Sequence, residues 1–423
     1  MNNISPIDGR YENKTTELKN YFSEKTLFSY RINIELKYFY TIINTIFNID
    51  LSHFLNTYEF TDNDYKTIKN IEKTLNHDVK AIEYFLKKKL ELYPDLLKYK
   101  EFIHFGLTSE DINSCSYMCM IKNCIEDIIN PILVTIINTL KSICINFDFI
   151  MTSYTHGQPA SVTTLDKEFK VFIYRLEKIM NIKNNYSSKM GGSSGNLTVH
   201  KVCYPDINWD DFFNNFMESQ LNLKRNLYTT QIDNYDDLSA IFFKYLSINN
   251  VLIDLVQDIW LYISKNFIKL KCINNEVGSS AMPQKINPIN FENAEANLML
   301  ANNLFYFFID KITKSRLQRD LTGSSIYRNF GSAFSYCLIS YKSLLEGLSR
   351  IDINKSVIKE DFNHNIIILS EIIAGLLKKK GLDGYKILKD FTRGKSINKS
   401  ILKQFILDNL NENDSNFLLN TYF

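Results

Sequence analysis

The sequence predicts an all-α protein built on long helices, and three observations carry that reading. Turn-forming residues are scarce: Gly 14 and Pro 7 make up about 5% of 423 residues, against roughly 12% in ordinary globular chains. They are also clustered, with none from Arg10 to Tyr93, from Asp206 to Val277 or from Ile289 to Thr322. Inside the second gap, Leu238, Ile241, Tyr245, Ile248, Leu252, Leu255, Ile259 and Tyr262 step alternately by three and four residues, a heptad stripe. A sandwich, barrel or propeller of short strands needs far more turns, and the chain shows no strong strand alternation.

Each helix signal follows in order along the chain. Asn76-His77-Asp78 reads as a helix start, with Asn76 or Asp78 as the cap. Thr108-Ser109-Glu110-Asp111 reads as an N-cap followed by an acidic first turn. The heptad stripe predicts a helix from about Asp236 to Lys271, ~54 Å long at ~1.5 Å per residue. That length suits an elongated bundle whose seam is shared between subunits, or else an internal core helix. Before the last gap, Asn287 or Asn290 is placed to cap a further helix.

Composition excludes several classes. Hydrophobic residues at 45% and charged residues at 23% exclude a disordered chain, and the length allows about three domains. A net charge of +2 gives no polyelectrolyte surface for nucleic acid or anionic membrane. No signal peptide is read at the start. The most apolar uncharged stretch, Ile128–Leu140, is too short to span a bilayer. The seven Cys are odd in number and form no CxxC pair, which fits buried reduced thiols in a cytoplasmic protein. No metal site and no cofactor are expected.

The chemistry concentrates in loops. Thr155-His156-Gly157-Gln158-Pro159 brackets one of only six His with small and polar residues. A histidine there is either a solvent-exposed loop residue or a proton donor working near neutral pH. Gly278-Ser279-Ser280-Ala281-Met282-Pro283-Gln284-Lys285-Ile286-Asn287-Pro288 combines free backbone N–H groups with a lysine, which is either a plain loop and cap or an anion cradle. Nine Arg occur in the chain, and Arg316, Arg319 and Arg328 fall within thirteen residues. They form either a solvated face or a clamp for a phosphate, because guanidinium binds phosphate in a bidentate fork.

Gly278-Ser279-Ser280-x-Met282-Pro283-x-Lys285-x-Asn287 resembles the signature of the fumarase/aspartase superfamily. Further motifs narrow the resemblance to the adenylosuccinate lyase family, in its bacterial branch. They are Ser5-Pro6-x-Asp8-Gly9-Arg10-Tyr11, Asn76-His77-Asp78-Val79-Lys80-Ala81, Thr108-Ser109-Glu110-Asp111, Thr155-His156-Gly157-Gln158-Pro159 and Ser315-Arg316-x-Gln318-Arg319-Asp320. The match runs from about Ile4 to Gln404.

The resemblance implies three helical domains: 1–97, a central long-helix bundle over 98–348 carrying the catalytic loops, and 349–423. It implies elimination of fumarate from adenylosuccinate and from the succinyl-carboxamide ribotide of purine synthesis, in a cytoplasmic homotetramer whose sites are shared between subunits. It assigns Ser279 as general base, His156 as general acid and His77 as a supporting residue. Lys285 and Asn287 would hold the substrate carboxylate. Arg10, Tyr11, Asn76, Asp78, Thr108, Ser109, Gln231, Arg316, Ser324 and Arg328 would contact the nucleotide. Gln284 is more typical of argininosuccinate lyases, which leaves that enzyme, or a catalytically inactive structural relative, as the alternative. Gly191-Gly192-Ser193-Ser194-Gly195-Asn196 departs from the more apolar loop of the family, and the segment 411–423 diverges.

Overall fold

The computed structural model describes residues 3–51, 58–145, 147–272, 282 and 284–423. Helices dominate, and the only sheets among the described residues are three two-stranded pairs. Contacts divide the chain into two units, each discontinuous in sequence: Met1–Val134, Ile179–Ile253 and Asn293–Lys342 in the first, and Thr135–Lys178, Asp254–Glu292 and Ser343–Phe423 in the second.

The heptad stripe lies on a helix spanning Asp236–Ser264, shorter than the expected run to Lys271. Asn266 ends it. This residue adopts the left-handed conformation at φ 59°, and Phe267 N–H then bonds back to Tyr262 O at 2.9 Å, which closes the helix as a Schellman turn. The chain continues as a short strand, Ile268–Leu270, antiparallel to Ile351–Ile353. From Leu238 to Ile259 every stripe residue is at most 2% exposed. The seam is therefore filled by the chain itself, as in an internal core helix, rather than shared with a second subunit. Exposed apolar residues sit elsewhere on the same helix, with Phe243 60% and Leu261 51% exposed.

In the first unit, the stretch without Gly or Pro from Arg10 to Tyr93 holds several helices. Ser23 caps the Glu24–Phe47 helix, accepting from Thr26 N–H at 3.2 Å, and Thr61 and Asp64 form a reciprocal capping box on Asp62–Leu75. The Ser109–Cys124 helix passes through a π-helical turn at Ile125–Ile129 into Asn130–Ile145. Pro131 lacks the N–H of a regular helical ladder, and the widened turn accommodates the loss. The continuous run Ser109–Ile145 is 37 residues and, like Asp236–Ser264, is long and apolar enough to cross a bilayer by length and composition, so the segment Ile128–Leu140, too short by itself, is part of a helix that is not. Both helices nonetheless hold polar groups satisfied by protein. Lys122 donates to Asn222 O at 2.9 Å, and Asn249 donates to Asn302 Oδ1 at 3.0 Å while accepting from Tyr341 Oη at 2.7 Å.

A fully buried ion pair anchors the start of the Ser109 helix. Lys189 Nζ lies 2.6 Å from Asp111 Oδ1, with neither side chain exposed. Asp111 also accepts from Thr108 N–H at 2.7 Å, Gly191 N–H at 2.8 Å and Gly192 N–H at 3.1 Å, and Lys189 donates to Gly192 O at 2.7 Å. The glycine loop that departs from the family pattern is thus folded around one carboxylate. Gly192 and Gly195 have φ of 77° and 76°, and a Cβ on Gly195 would meet Thr229 O at 2.2 Å, so no other residue fits there.

Near this loop an aromatic cluster encloses His200. Tyr38 Oη donates to Phe105 O at 2.6 Å and lies 2.7 Å from His200 Nε2, so Nε2 is the donor in that contact. Burial, partly offset by Asp111, lowers the pKa of His200 to about 4.

In the second unit, Ile150–Thr155 and Gln158–Thr164 form an antiparallel hairpin that the sequence reading missed. Its strands are rich in Ser and Thr and carry no apolar alternation. Helices at Lys355–His364, Ser370–Lys379, Gly384–Thr392, Lys399–Asn409 and Glu412–Tyr422 enclose a core that includes Ile366, Leu369, Ile373, Leu377, Leu402 and Leu418. Ile150 and Val162 of the hairpin pack on that core. All seven cysteines are free; Cys203 and Cys272 are exposed rather than buried.

Two outcomes test these contacts. Lys189→Met strands Asp111 as an uncompensated buried charge and is expected to cost about 3–5 kcal/mol, read as a lowered urea midpoint. For His200, the native state resists the proton that the unfolded chain takes up near pH 6.5, so stability is lost as pH falls from about 6.5 to about 4. Over that window the stability of wild type should fall, relative to His200→Gln, by up to about 3 kcal/mol; parallel pH profiles would contradict the assignment.

Candidate active site

Two helix starts and one arginine-bearing segment enclose a cavity of about 290 Å³ in the first unit. Asn76, His77 and Asp78 contribute from one helix start and Ser109 from the other, while Arg319, Ser324 and Arg328 come from the third segment. The first corner is tight because Asn76 ends the Asp62–Leu75 helix in the left-handed conformation, φ 51°. The next helix begins at once. Its cap is His77, not Asn76 or Asp78 as expected, and His77 Nδ1 accepts from Lys80 N–H at 3.1 Å. That bond leaves Nε2 to carry the proton of the neutral ring, as a donor available to a ligand. At the second corner, Thr108 is the N-cap that the sequence predicts, and its N–H donates to Asp111 Oδ2 at 2.7 Å; the start of a helix is a position suited to an anion.

The arginines are arranged by acidic partners. Arg319 Nη1 lies 3.4 Å from both Ser109 Oγ and Gln231 Oε1, and Nη2 is 3.3 Å from Glu110 Oε1. Arg328 Nη2 donates to Asp78 Oδ2 at 2.8 Å. The same oxygen is 2.9 Å from Arg31 Nη1. Burial would raise the pKa of Asp78, but Arg31, Val79 N–H and Arg328 together hold it down at about 2.

Six of the residues expected from the sequence therefore share one cavity: Asn76, His77, Asp78, Ser109, Ser324 and Arg328. Gln231 joins through Arg319. Arg10 and Tyr11 belong to the same unit but do not line the cavity; Arg10 is exposed, and Tyr11 Oη accepts from Asn293 at 2.9 Å. Thr108 contributes as a cap. Arg316 is exposed and paired with Asp320 at 3.3 Å, while its neighbour Arg319 lines the cavity. Sequence reasoning had grouped the three arginines without resolving which of them turn inward. It also missed Arg31 and Tyr117, which look like interior helix residues in the sequence.

Three expected residues belong to the second unit. His156 sits at the hairpin tip between the paired Thr155 and Gln158. His156 and Gly157 have φ of 53° and 70°, the two positive values that a type I′ turn requires, and His156 is exposed. Below it, Tyr154 Oη donates to Asp361 Oδ1 at 2.6 Å, and Lys265 Nζ stands 3.5 Å from the centre of the Tyr154 ring. Lys285 is exposed and Asn287 half-buried; the following helix begins at Ile289, so neither Asn287 nor Asn290 holds the position before it. Ser279 and Ser280 lie outside the described residues.

Comparison with known proteins identifies the family. A lyase family model matches residues 9–302, and an adenylosuccinate lyase C-terminal model matches residues 315–421. The adenylosuccinate lyase of Buchnera aphidicola from Acyrthosiphon pisum is 42% identical over 416 residues, covering 95% of this chain and 91% of that one. Those of Escherichia coli K12 and Dictyostelium discoideum are 38% and 41% identical, each covering 95% of this chain and 91% of the relative. Among solved structures, β-carboxy-cis,cis-muconate cycloisomerase from Acinetobacter calcoaceticus superposes with a TM-score of 0.72 at 14% identity, covering 95% of this chain and 93% of that one. A fumarate lyase from Mesorhizobium gives 0.68 at 14% identity, with coverage of 89% and 84%. These two share the fold. With relatives this similar along nearly its whole length, the chain belongs to the adenylosuccinate lyase family and is a lyase of all-α fold.

Proposed function

We propose that this chain eliminates fumarate from adenylosuccinate, releasing AMP, and from succinyl-aminoimidazole-carboxamide ribotide in purine nucleotide synthesis. The observation that carries the reading is the convergence of Asn76, His77, Asp78, Ser109, Ser324 and Arg328 on one cavity, since these are the positions through which the family contacts its nucleotide. Arg319 joins that set, and with Arg328 it supplies the fork geometry a phosphate accepts. Gln284 alone favoured argininosuccinate lyase, and the relatives above give that alternative no support.

The chemistry assigned to the remaining residues follows from the reaction. The Cβ proton of the succinyl group is weakly acidic, and its removal builds a doubly charged aci-carboxylate. Ser279 takes that proton, its alkoxide stabilised by backbone N–H groups and by Lys285. Lys285 and Asn287 hold the carboxylate as charge develops. The C–N bond then breaks, and His156, exposed at its hairpin tip, gives a proton to the departing nitrogen. His77 supports substrate from the helix corner, and Arg10, Tyr11, Thr108, Gln231 and Arg316 complete the nucleotide contacts.

The assembly we infer is a cytoplasmic homotetramer with sites shared between subunits, laid out as the domains 1–97, 98–348 and 349–423. Exposed apolar side chains on the long helices support it, including Phe243, Met299, Tyr306 and Phe307 in the first unit and Trp260 and Leu261 in the second. Large apolar side chains left exposed on a helix are the kind of surface that protein interfaces cover.

Ser279→Ala is expected to lower kcat by several orders of magnitude while AMP binds with near-native Kd. Activity above roughly a tenth of wild type would move the base elsewhere, with Ser280 next in line. The shared site has its own test. His156→Ala and Ser279→Ala tetramers should each be inactive, and mixed tetramers formed after partial denaturation should regain activity well above either parent. No recovery despite proven subunit exchange would place both residues on one chain.

A further inference from the structure

Arg31 is the one cavity-lining arginine that lies far in sequence from the arginine-rich segment. It projects from the Glu24–Phe47 helix and is only 1% exposed. A buried guanidinium is costly unless it is paired, and its partner is Asp78 Oδ2 at 2.9 Å. Among the described residues its Nε and Nη1 have no aligned hydrogen-bond acceptor, so the Asp78 contact is ionic and the group faces the cavity with donor capacity unspent.

Asp78 Oδ2 thus carries two cations of different character. Arg31 has 2% of its side chain exposed and Arg328 45%. The buried one cannot leave without stranding a charge, whereas the exposed one can swing to a ligand. When a phosphate draws Arg328 away, Asp78 would be left as an orphan anion if Arg328 were its only partner. The charged groups around the carboxylate are few. Glu72 and His77 line the same cavity with Tyr117, Glu72 is already paired to Lys69 at 2.7 Å, and Glu24 acts on Arg328 through space.

We propose that Arg31 is a positioning residue that holds Asp78 permanently and so frees Arg328 for the phosphate of the substrate. It acts through Asp78 on Arg328, and the inference rests on the nucleotide-site reading above. Without Arg31, the carboxylate competes with phosphate for Arg328. The loss falls on binding of phosphorylated ligands rather than on the chemical step.

The test compares wild type with Arg31→Gln and Arg31→Lys as full-length proteins. AMP and adenosine binding are read by calorimetry, adenylosuccinate turnover by absorbance, and folding by thermal denaturation. In Arg31→Gln the Kd for AMP and the KM for adenylosuccinate should rise roughly ten- to hundredfold, with kcat within about threefold of wild type and adenosine binding unchanged. Arg31→Lys keeps the charge and should lie between the two, which also serves if the glutamine variant fails to fold. Loss of Arg31 lets the Asp78 carboxyl rise from about 2. The variant's carboxyl therefore takes up a proton at higher pH than that of wild type and releases Arg328 as it does, so the ratio of variant to wild-type Kd for AMP narrows as the pH falls. A purely structural role would leave that ratio constant with pH, and a constant ratio, unchanged AMP affinity, or loss confined to kcat each overturns the inference. Wild type that neither binds AMP nor cleaves adenylosuccinate would overturn the nucleotide-site reading itself, and this inference with it.

Discussion

The buried pair between Asp111 and Lys189 is the constraint from which the rest of the first unit's site follows. A carboxylate with no exposure has to be satisfied completely, and here it takes one ammonium and three backbone N–H groups. Two of those N–H groups come from Gly191 and Gly192, so the glycine loop is wrapped on the same oxygens that cap the Ser109 helix. The direction of that helix start, and with it Ser109, Glu110 and Asn113, is set by a carboxylate that never meets solvent. Glu110, on the next turn position, then reaches Arg319.

A similar logic governs the other corner of the cavity. Asn76 can take the left-handed conformation at modest cost because its short polar side chain tolerates it, and this lets one helix stop and another start within two residues. His77 commits its Nδ1 to capping the second helix. Asp78 binds two guanidinium groups on one oxygen. The cavity thus gathers three arginines, each with an anionic partner that holds it in place until the ligand arrives. The rigid scaffold is helical, and the reactive groups occupy its loops and helix ends, where backbone N–H groups are unspent.

Much of this was legible in advance. The heptad stripe identified the long helix because its residues are the ones that the core buries, and the N-cap at Thr108 was readable because caps depend on local chemistry. The cavity residues Asn76, His77, Asp78, Ser109, Ser324 and Arg328 were legible only through motif resemblance. The hairpin under His156 was not legible, since its strands lack apolar alternation and its turn depends on a histidine in a conformation usually taken by glycine or asparagine. The helix end at Asn266 and the π-turn before Pro131 were also invisible, because a left-handed cap and a widened turn are selected by packing rather than by composition.

What the sequence by itself determined is the set of periodicities and local signals: long helices, their capping chemistry, and the family to which the motifs belong. These depend on contacts between residues a few positions apart. What only the tertiary structure decided is which charges meet. Lys189 finds Asp111 across 78 residues, and Arg328 finds Asp78 across 250. It also decided that Arg319 rather than Arg316 lines the cavity and that the heptad seam closes within the chain. Burial decides such pairings, because a charge taken out of water must find a partner wherever the fold brings one, and sequence separation says nothing about where that will be.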